Sequence, residues 1–264
     1  MKRPPHTTAP RSEFADALRK GLLIGAAALT VLLPPVLTVA PPAKAPQMAV
    51  RPAPSVPAPT VPTPRSKRLA DFSGERPSQD VRQMAHWVVQ SGDHGPKAFV
   101  IVDKKEAKVY AFDAHGRLQS VVAALLGSAR GDDTVPGIGD KPIDQVLPEE
   151  RTTPAGRFVA EMGMSSSRGE DVVWVDYEAA VSMHRVIKAP ERLKALSSPT
   201  NDDNRMSYGC INLPVSFYEG VLRPLVKGSG AVIYVLPETR PLHEVFASFY
   251  DVTAPVKVAQ TKGL

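Results

Sequence analysis

The chain contains a single cysteine, Cys210, in a segment whose residue types could support nucleophilic catalysis. Gly209 precedes it directly, and a glycine lets the backbone turn sharply and bring its amides close to a ligand. His184 lies upstream, at the end of the predicted strand Ala180–His184. Because the thiolate is the reactive form of cysteine, a nearby imidazole that accepts the thiol proton would activate it. These residues predict a Cys210 nucleophile with His184 as its base; the alternative is a small buried thiol.

Metal chemistry is not expected. One cysteine excludes an intrachain disulfide and a cysteine-rich zinc site. The sequence has no H-E-x-x-H motif, and no ligand spacing relates the remaining histidines, which are His6, His86, His94, His115 and His243. We assign His86 to a helix and His115 to a turn, and predict no metal or cofactor.

The positive charge of the chain is confined to its N-terminal quarter. The 264 residues carry 32 Lys+Arg and 27 Asp+Glu, for a formal net charge of +5. Eight of the basic residues but only two of the acidic ones (Glu13 and Asp16) lie in residues 1–65. The rest of the chain is nearly neutral, which argues against a broad phosphate-binding face and predicts no nucleic-acid partner.

The segments of the N-terminal quarter follow one another in a sequence that is typical of an exported protein. Residues 1–20 are basic and polar, and residues 21–40 carry no charge. A positive segment before an apolar run predicts a signal peptide or a membrane anchor. Small-residue cleavage patterns end at Ala40 and Ala45, but each is followed by proline, so we favour an uncleaved anchor in the inner membrane.

Residues 41–75 form a proline-rich linker. Nine of the 27 prolines lie in Pro41–Arg65, and proline removes backbone donors and fixes φ, which favours extended polyproline II. The order of anchor, linker and body favours a spacer that holds the body away from a membrane; the alternative is a disordered tail.

The body, residues 76–240, has the pattern of a mainly β domain, followed by a C-terminal extension, 241–264. Apolar spacing predicts a helix at Asp80–Gln90 with Asp80 as its N-cap, a hairpin at Ala111–Gln119, and a tight turn at Thr153–Gly156. Many short strands with few short helices predict a sandwich or partial barrel. The predicted strands are Ala98–Val102, Lys108–Phe112, Leu118–Leu126, Gly156–Met162, Val172–Asp176, Ala180–His184 and Ala231–Leu236.

Three segments together resemble the cysteine-dependent L,D-transpeptidases of bacterial cell walls. That family carries a His, a linker and then Ser/Thr-His-Gly-Cys with an aliphatic residue and Asn or Arg, which is similar to His184 followed by Ser207–Asn212. Thr153–Phe158 and Phe99–Asp103 resemble two upstream segments of the family. The resemblance covers roughly residues 97–237 and implies an L,D-transpeptidase-like β-sandwich with a few short helices.

The resemblance also implies roles for single residues. Cys210 would be the nucleophile, His184 its base, and the carbonyl of Arg185 would orient the imidazole. Backbone N–H groups of Tyr208, Gly209 and Cys210 would form an oxyanion hole. Around the substrate, Ser207 and Asn212 would brace the loop, and Arg205 would contact a carboxylate or remain a solvated loop charge.

The sequence departs from the family pattern at two places. Tyr208 stands where the family usually has a second His, and a tyrosine side chain, unlike a histidine, cannot carry a positive charge near pH 7. The gap between His184 and Ser207 is longer than expected, and its polar part, residues 196–205, predicts a loop beside the site.

The implied activity is peptidoglycan cross-linking by two acyl transfers. The thiolate would attack a stem tetrapeptide, release its terminal D-Ala and form a thioester, which an amine of another stem would resolve. Water as the acceptor would make the chain an L,D-carboxypeptidase, and a third possibility is a non-catalytic wall-binding protein. The implied location is the periplasm or cell envelope.

Overall fold

The computed structural model describes residues 68–165 and 169–254. The predicted basic segment, the predicted anchor at 21–40 and most of the proline-rich linker lie outside these ranges, as do residues 255–264. Among the residues that are described, no helix has the length and apolar character needed to span a membrane.

Ten strands dominate the described chain, which confirms the predicted mainly β fold with few short helices. Eight of them form one sheet in the order β3-β2-β1-β10-β5-β6-β7-β9, and β4 pairs with β8. In chain order the strands are β1 (Ala98–Asp103), β2 (Lys108–Phe112), β3 (Leu118–Ala123), β4 (Leu126–Gly127), β5 (Gly156–Ser165), β6 (Glu170–Asp176), β7 (Val181–Arg185), β8 (Arg205–Ser207), β9 (Ile211–Leu213) and β10 (Ala231–Val235).

All seven predicted strand segments are extended, but Leu118–Leu126 is not one strand. β3 ends at Ala123, and Leu126 pairs with Arg205 of β8 instead. Periodicity could not show this break because residues 121–126 are a continuous apolar run. The break brings the backbone of Leu125 against Asn212, with Leu125 N–H to Asn212 O at 2.9 Å and the reverse bond at 2.8 Å.

The helices differ more from the sequence predictions. The first, α1, matches the predicted helix, but its N-cap is Ser78, whose hydroxyl accepts from Val81 N–H, and not Asp80. Asp80 instead lies in the first turn and pairs with Lys105 at 2.8 Å. The predicted hairpin turn after β2 is confirmed by the Gly116 N–H bond to Asp113 O. The helices are α1 (Gln79–Ser91), α2 (Pro190–Ser197), α3 (Val215–Phe217), a π-turn (Tyr218–Leu222), α4 (Arg223–Ser229) and α5 (Leu242–Val245).

The predicted tight turn at Thr153–Gly156 is wrong. Residues 151–155 form no turn, and the Thr153 carbonyl accepts a hydrogen bond from Lys104 Nζ at 2.9 Å instead of one from Gly156. A long-range cation therefore replaces the local hydrogen bond that the Thr-Pro-Ala-Gly pattern predicts.

The large sheet separates two apolar clusters. Every residue of β1 is buried, because its side chains alternate between the two faces of a central strand. One face packs against the π-turn and α4, and the other packs against α1. Ala70, at the end of the predicted linker, and Leu242 and Phe246, in the predicted C-terminal extension, belong to the α1 cluster.

Four charged side chains form a buried ion cluster, which we define as Lys104, Asp132, Arg205 and Glu238. Lys104 Nζ lies 2.8 Å from Asp132, and Arg205 lies 2.5 Å from Glu238. Burial lowers the pKa of Lys104, and Asp132 opposes this. Burial alone would raise the pKa of Asp132, but hydrogen bonds from Lys104, Thr239 and backbone N–H groups hold that pKa well below its usual range. Both charges therefore persist inside the fold.

We predict that Asp132→Asn lowers the free energy of unfolding by about 3–5 kcal/mol, because it removes the carboxylate nearest the buried Lys104 ammonium and leaves only Glu238, at 3.8 Å. The depressed pKa of Asp132 makes its contribution complete above about pH 4 and progressively lost below it. Denaturant unfolding across acid pH measures both effects. Asp133→Asn, whose side chain is 78% exposed, is the matched control; equal losses in both variants would contradict the prediction.

Candidate active site

Two parallel strands bring a histidine and an asparagine to the same level. β7 pairs with β9 so that His184 is opposite Asn212. β9 starts at Ile211, directly after the cysteine. Cys210 therefore lies at the N-terminal end of β9, the edge strand of the sheet. His184 and Asn212 are both buried, whereas Cys210 is partly exposed.

The backbone fixes the tautomer of His184. Its Nδ1 lies 2.8 Å from the carbonyl oxygen of Arg185. A carbonyl only accepts hydrogen bonds, so Nδ1 carries the proton in the neutral ring and Nε2 carries the lone pair. His184 therefore has the orientation of a base that acts through Nε2.

The thiol of Cys210 contacts the start of β7. Its Sγ lies 3.7 Å from the Ser182 hydroxyl and 3.6 Å from the carbonyl oxygen of Ala180. Sequence reasoning missed Ser182, although alternation along a strand places it on the same face as His184 and could have identified it.

The loop before β9 is closed by hydrogen bonds to its own backbone. The Ser207 hydroxyl donates to Cys210 O at 2.6 Å and accepts from Gly209 N–H at 3.1 Å. Gly209 N–H is thus occupied. Within the chain that the structure describes, the N–H groups of Tyr208 and Cys210 have no such partner, so these two remain as candidate oxyanion donors.

Only glycine fits at position 209. Its φ is 122°, and a Cβ there would lie 2.7 Å from the carbonyl oxygen of Thr152. The Gly209 carbonyl accepts from the Thr153 hydroxyl at 2.8 Å, and that hydroxyl also accepts from Gly127 N–H at 2.9 Å. Thr152 and Thr153 therefore contact Gly209 and fix the backbone of the loop before Cys210.

A charged side chain that sequence reasoning missed sets the orientation of the Asn212 amide. Arg192, on α2, donates to Asn212 Oδ1 at 2.8 Å. This directs Nδ2 towards Cys210 O at 3.2 Å and His184 Nε2 at 3.4 Å. Pro190 in the first turn of α2 is a helix-start signal that could have revealed the helix, but not its contact with Asn212.

The two arginines for which the sequence suggested a role, Arg185 and Arg205, have side chains that form ion pairs. The Arg205 guanidinium is 9% exposed and pairs with Glu238, so the structure does not bring it to the cysteine. The Arg185 side chain binds Asp171 at 2.7 Å and stacks on Tyr218 at 4.3 Å, so only its carbonyl faces His184. Tyr208, in contrast, is 43% exposed beside Cys210.

Metal ligands do not converge here. Across residues 68–165 and 169–254, no group of three or more His, Cys, Asp or Glu side chains has an arrangement that could hold a metal ion.

Comparisons with known proteins give matches in structure only. No family model matches the sequence, and no curated protein matches it. Solved structures do match: a mutant L,D-transpeptidase of Enterococcus faecium is 17% identical, with a TM-score of 0.33, 53% of this chain covered and 50% of that chain.

Two further solved structures match at a similarly low sequence identity and TM-score. The catalytic domain of the E. faecium L,D-transpeptidase is 15% identical over 53% of this chain and 98% of that chain, with a TM-score of 0.34. An L,D-transpeptidase of Stackebrandtia nassauensis is 16% identical over 56% and 58%, with a TM-score of 0.33. The chain thus spans half the length of the E. faecium mutant enzyme. We therefore infer activity from the chain's own residues.

We predict that Gly209→Ala slows alkylation of Cys210 by iodoacetamide at least about tenfold, because the new Cβ would displace the loop from Thr152 O. Intact-mass kinetics on the folded protein measure the rate. Gly95→Ala also has a positive φ, 61°, but open space around its Cβ, and should react as the wild type does. An unchanged rate in Gly209→Ala would refute the expected displacement.

We predict that Arg192→Met lowers the free energy of unfolding by about 1–3 kcal/mol, because it leaves the buried Asn212 Oδ1 without a donor. Equilibrium unfolding in urea measures the change. Lys194→Met, an exposed position on the same helix, is the control and should lie within about 0.5 kcal/mol of the wild type. A similar small effect for both would show that the Arg192 bond contributes little.

Proposed function

We propose that the chain is a cysteine-dependent acyltransferase, an L,D-transpeptidase that acts on peptidoglycan stem peptides. The observation that carries this proposal is the position of Asn212, whose side chain connects the backbone of Cys210 with the ring of His184. Its amide reaches Cys210 O and His184 Nε2, while the Arg185 carbonyl fixes the other side of the imidazole. A merely buried thiol would need none of these orienting bonds.

The first step forms a thioester. His184 Nε2 accepts the thiol proton, and Cys210 Sγ attacks the peptide carbonyl at the L-centre of the diamino acid. As the C–N bond of the tetrahedral intermediate breaks, the amine of the terminal D-Ala takes the proton from His184 and leaves. The orientation of the ring, with Nδ1 held by a carbonyl, allows one nitrogen to perform both transfers.

The negative oxygen of the intermediate needs donors that are already in place. The N–H groups of Tyr208 and Cys210 belong to a loop whose shape is fixed by Ser207 and Gly209. Oxyanion donors in acyl-transfer enzymes are worth about 2.7–4 kcal/mol each. We assign this role to these two groups, since Gly209 N–H already binds the Ser207 hydroxyl.

The second step resolves the thioester. An acceptor amine attacks the acyl carbon, His184 takes its proton, and the C–S bond breaks to restore the thiolate. If the acceptor is an amine of another stem, a cross-link forms; if it is water, the product is a shortened stem and the chain is an L,D-carboxypeptidase.

A cavity lined in part by Ala180 has room for a peptide. It has a volume of about 820 Å³ and includes Ala180, whose carbonyl contacts Cys210 Sγ. Trp174 and Tyr177 supply aromatic walls, and Asp140 and Glu178 supply acidic groups. Such a mixture of apolar and polar lining suits a stem peptide whose acceptor or side-chain amine is cationic.

The proposed substrate implies a place outside the cytoplasm. A basic segment, an apolar run at residues 21–40 and a proline-rich linker precede the body in the order that an exported, envelope-located protein requires. We include export, with or without retention of the apolar run as an inner-membrane anchor, in the proposal.

The decisive test is incubation of the full chain with purified tetrapeptide muropeptides and mass analysis of the products. We expect release of D-Ala and cross-linked dimers with wild-type protein, and complete loss of both with Cys210→Ala. Cys210→Ser is the matched variant that keeps a hydroxyl and should also be inactive at neutral pH, because an alcohol is a far weaker nucleophile than a thiolate.

Each product pattern has a distinct meaning. D-Ala without dimers would identify the carboxypeptidase alternative. Turnover that persists in Cys210→Ala would eliminate Cys210 as the nucleophile, and binding without turnover by folded wild-type protein would favour the wall-binding alternative.

A further inference from the structure

The exposed tyrosine beside the nucleophile carries a cation on its ring. The guanidinium of Arg151 lies 4.1 Å from the centroid of the Tyr208 ring. A cation over an aromatic face is attracted by the negative potential of the ring. In the L,D-transpeptidase pattern this position is a second His. Here the Tyr208 ring is neutral, and the positive charge beside it comes from Arg151.

Arg151 is held in place without being neutralised. Its Nε and Nη2 donate to the Val146 carbonyl at 3.3 and 3.1 Å. No carboxylate of residues 68–165 and 169–254 lies within 4.0 Å of its guanidinium, whereas the guanidinium groups of Arg157, Arg185 and Arg205 all have one. The result is an oriented cation with a free edge at Nη1.

The backbone around Arg151 belongs to the support of the cysteine loop. Its carbonyl accepts from Ala129 N–H at 3.1 Å. The next two residues, Thr152 and Thr153, touch Gly209 through a close carbonyl and a hydroxyl hydrogen bond. Arg151 and the nucleophile are therefore fixed to each other through two short connections, the Tyr208 stack and the Thr152–Thr153 segment.

We propose that Arg151, stacked on Tyr208, binds the C-terminal carboxylate of the acyl donor. A guanidinium fork matches a carboxylate in geometry and charge better than any other side chain does. In the donor that the proposed function implies, that carboxylate belongs to the leaving residue, about 3.8 Å in Cα–Cα distance from the residue that is attacked. Tyr208, which carries the stack, precedes Cys210 by two residues in the same loop.

This inference rests on the proposed function for the identity of the donor and reassigns the carboxylate contact that the sequence suggested for Arg205. The ring of Tyr208 is the platform and its hydroxyl is not needed. Tyr208→Phe should then preserve recognition, while Tyr208→Leu should weaken it.

The test measures binding, so that it does not depend on turnover. In full-length Cys210→Ala protein, calorimetry compares a stem tetrapeptide with the same peptide carrying a C-terminal amide. We expect the free acid to bind at least about tenfold more tightly, since hydrogen bonds to charged groups have this magnitude. Arg151→Gln should abolish the preference, and Arg117→Gln, at an exposed position on the hairpin turn, should retain it.

The outcomes separate the two proposals. A preference that Arg151→Gln leaves intact, or equal affinity of the parent protein for acid and amide, overturns the carboxylate assignment. Loss of the preference in Arg151→Gln and Tyr208→Leu, but not in Tyr208→Phe, supports it even if the muropeptide assay of the wild-type chain shows no turnover.

Discussion

The buried ammonium of Lys104 is the contact on which the geometry of the site depends. It donates hydrogen bonds to Gly131 O at 2.5 Å, Asp132 Oδ1 at 2.8 Å and Thr153 O at 2.9 Å. These acceptors come from two separate segments, one after β4 and one before β5, so a single cation sets both relative to β1. Thr153 in turn holds the carbonyl of Gly209. The loop that carries Cys210 is thus positioned, through Thr153, by the Lys104 charge. A buried ion pair is a poor source of net stability but a strong constraint on which arrangement is adopted.

The strands could be predicted from the alternation of apolar and polar residues, and the pairing of Cys210 with His184 was suggested by a short motif. Both are local signals in the sequence. Several of the contacts that orient the site are not local. Arg192 reaches Asn212 from a helix inside the long gap, and Arg205, expected near the substrate, is neutralised by a glutamate that follows 33 residues later. The strand break at Ala123 was hidden by an apolar run, and the Thr153 turn was replaced by the Lys104 bond. In each case the deciding partner lies far away in sequence.

The physical role of Tyr208 depends on its neighbour Arg151. A histidine would combine a ring and a titratable proton in one side chain. Here the ring belongs to Tyr208 and the permanent charge to Arg151, stacked at 4.1 Å. Because a guanidinium stays protonated at all accessible pH values, the charge beside the nucleophile would not vary across the range in which a histidine titrates.

The parallel pairing of β7 with β9 has a consequence for how this region can diverge. The ladder places His184 opposite Asn212, and the Leu125 bridge fixes Asn212 from its other side. The connection between the two strands is anchored near its end by Asn204, which donates to Ala124 O at 2.9 Å. Insertions between the end of α2 at Ser197 and Asn204 therefore leave the pairing of His184 with Asn212 and the Arg192 contact in place, and each doubling of such a loop costs only about 0.6 kcal/mol. The loop between α2 and Asn204 can therefore vary in length while His184 stays opposite Asn212.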